Sequence, residues 1–251
     1  MCYFFSFVTD PVHHPAEYYY YNWDYRKANL DDDGADSHSH ICAHFKLDED
    51  KCNKYEFDPL TGSFIVDQNN SERDDSDAAE KWARRLDFKT VVEPLIIKPI
   101  VHPLKLPEAK EVTAEHVQWL KEWASVWASV GASVRDSVGA SVGTSVWDSV
   151  WDSVWASVWD SVGDSVWTSV RDSVGASVWT SVWASVRASV RDSVRDSVGA
   201  YVSSFFSIKY EHDFSPAVKL WEAGLVPSFD GKVWRLHTGK DAHVVYEETQ
   251  E

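Results

Sequence analysis

The chain has 251 residues, enough to bury one large core or two modest ones, and its net charge of −16 excludes a basic nucleic-acid footprint. Three cysteines make no even disulfide framework, and no apolar run is long enough to cross a bilayer. The first residues lack a basic leader and a signal-like apolar segment, so the expectation is a soluble, reduced, cytoplasmic protein without a membrane partner.

Residues 1–110 read as an α+β head. Cys2–Val8 predicts a strand ended by Thr9-Asp10-Pro11, and the aromatic run Tyr18–Tyr25 predicts a strand or sheet edge. Lys54–Asp58 and Ser63–Asp67, joined through Pro59-Leu60-Thr61-Gly62, predict a hairpin. An acidic loop then leads to a helix over about Asp77–Leu86, with Arg84 and Arg85 near its end as the dipole favours. Pro94, Pro99, Pro103 and Pro107 punctuate an extended stretch expected to run along the head as an edge strand.

The head also holds the densest chemistry, His38, His40, Cys42 and His44, followed by Cys52, with His13 and His14 upstream. Histidine and cysteine are zinc ligands, and four of these meeting in one place would make a metal site. Their spacing differs from standard zinc spacing. The competing reading is a surface loop followed by a helix with Cys42 in the core. Asp31, Asp32 and Asp33 are weaker candidates as further ligands, because charge runs are usually solvated. No Gly-rich phosphate loop, nucleophile elbow or helical HExxH accompanies them.

Thr113 is a predicted N-cap, and residues 111–122 read as a capping helix that runs straight into an unusual array. From Trp123 to Val202 one four-residue unit, [Trp/Gly/Arg]-[Ala/Asp/Thr]-Ser-Val, recurs twenty times without insertion or deletion. Valine never varies, and serine fails only at Tyr201. The first column is Trp at 123, 127, 147, 151, 155, 159, 167, 179 and 183, and Gly or Arg elsewhere. No physical property unites an indole, a hydrogen and a guanidinium, but codons TGG, GGG and CGG differ by one base, which points to duplication of a twelve-base unit. A column so tolerant is expected to face water, and the fixed valines to face inward, since a packed interior feels even one methylene. On this reading Trp123, Trp127, Trp147, Trp151, Trp155, Trp159, Trp167, Trp179 and Trp183 form an outward binding column.

A period of four suits an α-helix poorly. Each unit drifts about 40°, so the valines would circle a rod of about 120 Å that never keeps one apolar face. The period predicts instead a β-solenoid whose short sides stack about 4.8 Å apart, making the fold mainly β; the alternative is a long α-helical repeat array. In its construction the array resembles pentapeptide-repeat proteins, which stack five-residue sides into a four-sided right-handed β-helix. The resemblance covers about eighty residues and implies about 16 residues per coil, with valine filling a narrower bore. The pentapeptide motif itself is absent. The array and its flanks also look similar to bacterial and phage proteins to which no function attaches.

Residues 203–251 complete the chain as a cap. Ser215 is a predicted N-cap, Pro216 the first helical residue and Gly224 the stop, followed by a hairpin from Lys232–His237 and His243–Tyr246. The resulting domain order is head 1–110, capping helix 111–122, solenoid 123–202 and cap 203–251.

Two function classes compete. One is a structural or interaction protein, without catalysis, whose array is a rigid spacer or a Trp-rich surface for a protein partner or for self-association. The other is a metal-dependent enzyme or toxin-like head, zinc its cofactor, on a passive stalk. An acidic nucleic-acid mimic is weaker, because the array carries 8 Asp against 5 Arg and is close to neutral.

Overall fold

Phe7 and Val8 are both fully buried, yet successive strand residues point to opposite faces, so the first strand is covered on both sides. This sets the architecture of the head in the computed structural model, which describes residues 5–13, 16–30, 36–130, 137–138, 140–141, 147, 151, 155, 158, 162 and 179–250. Side chains at 128–130 and 179–187 are not part of that description. The chain divides into two units. The first holds Met1–Pro99, Asp136–Val150 and Phe205–Ile208; the second holds Ile100–Arg135, Trp151–Ser204 and Lys209–Glu251.

In the first unit β1 (Phe5–Asp10), β2 (Glu17–Tyr19), β3 (Asn53–Phe57) and β4 (Phe64–Asn69) form an antiparallel sheet in the order β2-β1-β3-β4. Helix α1 (Trp23–Ala28) begins where Asn22 accepts a hydrogen bond from the Tyr25 amide, which ends the aromatic run as a helix instead of a strand. Helix α2 (His38–Phe45) packs Ile41 and Cys42 against Val8, Tyr21 and Cys52 on one face of the sheet. Helix α3 (Ser76–Ala83) brings Trp82 to the other face, its ring 4.9 Å from Phe7. Farther along, Leu95 bridges to Phe206, so the proline-punctuated stretch contributes one isolated bridge and no continuous strand.

The second unit overturns the solenoid. Helix α4 (Ala114–Val130) starts at Thr113, whose hydroxyl accepts from the His116 amide, and carries the first two repeat units within it. Helix α5 (Trp179–Ser203) carries the last six. Among the described residues no part of the array is strand; the two sheets, both antiparallel and open, lie outside it. The fold is mixed α+β, and neither the right-handed β-helix nor the stacked coils implied by the pentapeptide-repeat resemblance is present among the described residues. Equivalent units also sit in different surroundings, so the sequence repeat does not become a repeat architecture.

Helix wins because the drift matters less over short lengths. Val190, Val194, Val198 and Val202 are 0–3% exposed and span about 120° of the α5 surface. Burying a valine contributes about 1.5–3 kcal/mol, more than the ~0.7 kcal/mol of helix propensity it forfeits. Towards its end α5 is buried all round, which the small Gly199 and Ala200 allow. Its final unit has Tyr201 in place of serine. That hydroxyl accepts from the Val101 amide at 2.8 Å and its ring stacks on Trp221, tying the end of the array to helix α6 (Ser215–Glu222).

The second unit also holds the sheet β5 (Val226–Phe229), β6 (Val233–Thr238) and β7 (His243–Thr249), in that order. Helix α6 starts one residue before expectation. Phe214 is the cap position, and the Asp213 carboxylate accepts from the Ser215 amide. Gly224 ends the turn at φ +76°, where its missing side chain leaves room for Leu106.

Serine is what makes the buried helix possible. Ser193 and Ser197 donate to the carbonyls of Val190 and Val194 one turn back, as Ser125 does to Glu122 and Ser203 to Ala200. Ser193 alone also accepts, from the Phe229 amide at 2.8 Å, and so docks β5. Chemical denaturation therefore separates two chemically identical changes. Ser193→Ala, which orphans a buried amide, costs about 1–3 kcal/mol, whereas Ser197→Ala, which removes only a redundant donor, costs less than about 1 kcal/mol.

Candidate functional site

Helix α2 separates its three histidines and Cys42 into two pairs. Positions i and i+4 share a helix face, so His38 and Cys42 point inward while His40 and His44 lie on the opposite side. His38 uses both ring nitrogens, Nε2 at 3.0 Å from the Tyr55 carbonyl and Nδ1 at 3.3 Å from Asp67. His40 Nδ1 meets the Ser37 hydroxyl at 2.7 Å, and His44 packs edge-on against Tyr21 and Tyr25. Cys42 and Cys52 lie together in the core, each 2% exposed. Burial pushes both thiols up, Cys52 to about 12. Among the described residues no three such groups converge on a metal position. His13 is paired with Asp10, while His14 and Asp31–Asp33 lie outside the described residues.

Exposure does not follow the tryptophan column. Trp123 is wholly buried beside Leu120, and Trp147 is 3% exposed. Trp127 packs its ring against Phe229 and Trp234, and Trp151 stacks on Trp155, both half-buried. Trp159 and Trp167 lie outside the described residues, and of Trp179 and Trp183 only the helical backbone is described. On α5 the same column includes Arg191 and Arg195, which face water, and Gly199, which is buried.

Two arrangements escaped the sequence reading. The first joins Ser228 of β5 to His237 of β6. Ser228 Oγ lies 2.7 Å from His237 Nε2, and His237 Nδ1 lies 2.8 Å from the Ala242 carbonyl. A carbonyl only accepts, so Nδ1 carries the proton and Nε2 accepts from the serine. This is nucleophile–base geometry, but the third partner is a carbonyl in place of a carboxylate, and both residues are 0% exposed. Burial first of all, helped by Arg235 and His243 and opposed by the Ala242 carbonyl, lowers the imidazole to about 4. No motif announces the pair, because β5 is a four-residue strand with proline at its second position.

The second is a cleft of about 270 Å³ between α4 and the β6–β7 hairpin. Leu120, Ala124 and Trp234 supply its apolar part, and Lys121 and Glu248 pair across it at 3.1 Å. Nearby, Arg235 holds Asp230 and Glu247, pinning the hairpin that forms one wall. No family model, curated protein or solved structure matches the chain. Among the described residues no helix is long and apolar enough to cross a membrane.

Asp196 of α5 belongs to the second column of the repeat but is only 9% exposed, and burial raises its carboxyl to about 6 despite Arg195 and Trp127. A folded-state value above the usual 3.8 means that ionisation opposes folding, with no cost below about pH 3.8 and the full cost above about pH 6. Asp196→Asn is therefore expected to stabilise the protein by about 1–2 kcal/mol at pH 7.5, with the gain vanishing by about pH 3.5. Paired denaturation curves at the two pH values check it, since the opposite trend from His237 cancels in the difference.

Proposed function

We propose that this chain is a non-catalytic interaction protein in which the described ends of the repeat array are internal framework and the α4–hairpin cleft is the recognition site. The observation that carries the reading is the complete burial of the Ser228–His237 pair. It has the geometry to do chemistry, yet no path leads a substrate to it. Among the described residues, His38, Cys42 and Cys52 are engaged within the fold as well. His38 bridges strand and carboxylate, and the thiols of Cys42 and Cys52 stay protonated in the core.

The cleft, in contrast, is open. Its volume is near the lower end of small-ligand pockets and suits one aromatic or branched side chain of a protein partner. Trp234 and Leu120 offer apolar surface for it, and the Lys121–Glu248 pair at the rim contributes orientation more than affinity. A fluorophosphonate probe, which labels accessible activated serines, is expected to leave the native protein unmodified. Stoichiometric labelling of Ser228, absent in His237→Gln, would show that the pair is reachable and the reading wrong.

A further inference from the structure

Strand β7 is an edge of its sheet, where the order is β5-β6-β7. Its register settles which of its backbone groups are already bonded. The Gln250 amide donates to the Lys232 carbonyl at 2.8 Å, and Thr249, Glu248 and Glu247 lie opposite Val233, Trp234 and Arg235. Antiparallel pairs alternate between those that exchange hydrogen bonds and those that do not. Glu248 and Gln250 therefore bond towards β6, and the N–H and C=O groups of Glu247 and Thr249 point to the open edge. Among the described residues no backbone group pairs with them there. Thr249 is exposed and lines the α4–hairpin cleft together with Glu248 and Gln250. An edge of unpaired donors and acceptors is a template for one more strand.

Side chains specify what that strand must carry. Successive residues alternate faces, so Trp234 and Glu248, which reaches Lys121 of α4 at 3.1 Å, share the face of the cleft. A residue added beside Glu248 turns the same way, into the cleft of about 270 Å³. Its neighbours turn to the other face, beside Glu247. There one guanidinium, Arg235, serves two carboxylates, Asp230 at 2.5 Å and Glu247 at 2.8 Å. Arg235 and Asp230 are nearly sealed, whereas the Glu247 side chain is 54% exposed and presents the excess negative charge. A basic side chain on the added strand is its complement. The Lys121–Glu248 pair is already balanced.

We propose that β7 takes up an extended segment of a partner protein as a further strand, with an apolar residue in the cleft and a basic residue next to it against Glu247. This strand addition rests on the cleft being the recognition site, and it adds the partner's backbone conformation and residue pattern.

The test is an NMR titration of the full chain with acetyl-Thr-Thr-Lys-Leu-Lys-Thr-Thr amide, whose symmetric pattern serves either strand direction. Saturable shifts are expected at the Thr249 amide and the Trp234 indole. A peptide N-methylated at its three central amides keeps every side chain but loses the donors that face β7. It is expected to bind about tenfold more weakly, or worse. Thr249→Pro, which removes an N–H that β6 does not use, is expected to weaken the parent peptide as much and leave the fold intact. Glu247→Gln is expected to lower the affinity and flatten its dependence on salt. No saturable shift with the parent peptide would overturn the strand addition. Equal affinity of the methylated peptide, with Trp234 still shifting, would overturn it too and leave the cleft standing as the recognition site. Binding unchanged by Ala124→Phe, which fills the cleft, would sink both.

Discussion

A serine in a helix always has one acceptor within reach, the carbonyl a turn behind it, and the second unit depends on that local bond. A column of hydroxyls recurring every fourth residue would otherwise be ruinous to bury, at about 1–3 kcal/mol for each unsatisfied group. Because Ser193 and Ser197 satisfy themselves against Val190 and Val194, α5 is free to sink between β5 and α6 with valine and serine both inside. The hydroxyl is also small, so neighbouring backbone approaches closely enough for Phe229 to donate to Ser193.

The 40° drift of a four-residue period then becomes useful. On α4 the first column turns inward, with Trp123 buried next to Leu120 and Trp127 against Phe229, while Val126 is half-buried. On α5 the valine column faces inward and the first column, as Arg191 and Arg195, is in water. One repeated sequence thus supplies two different faces to one core. Aromatic bulk comes from one end of the array and β-branched packing from the other. Asp196 marks the limit of this economy, since the same rotation carries an acidic second-column residue into the interior.

Where the sequence held local, self-contained signals, the structure follows them. The β3–β4 hairpin arises from alternation around the Pro59–Gly62 turn, α6 from Pro216 and Gly224, and the start of α4 from Thr113. The array misleads because the period argument weighs all eighty residues as one rod. Over Val190, Val194, Val198 and Val202 the drift is only about 120°, which one core still covers. Exposure of the tryptophans was inferred from codon drift, which reports mutation and not packing. The Ser228–His237 pair was illegible for another reason. Its members come from two neighbouring strands, one of only four residues with a proline at its second position, and only the sheet register brings them together.

If valine and serine occupy α5 as interchangeable units, removing one whole unit should change almost nothing. Deleting Arg191–Val194 places Arg187, Ala188, Ser189 and Val190 in the vacated positions and restores every buried valine and serine. Deleting only Asp192–Val194 instead drives Arg191 into the Val194 position and Val190 into that of Ser193. Thermal unfolding of the two deletions is the most direct measurement. The four-residue deletion should stay within about 1 kcal/mol of the parent, and the three-residue deletion should lose more than about 3 kcal/mol, the cost expected of a buried unpaired charge. Equal losses in the two would show that the period does not govern how this helix is held.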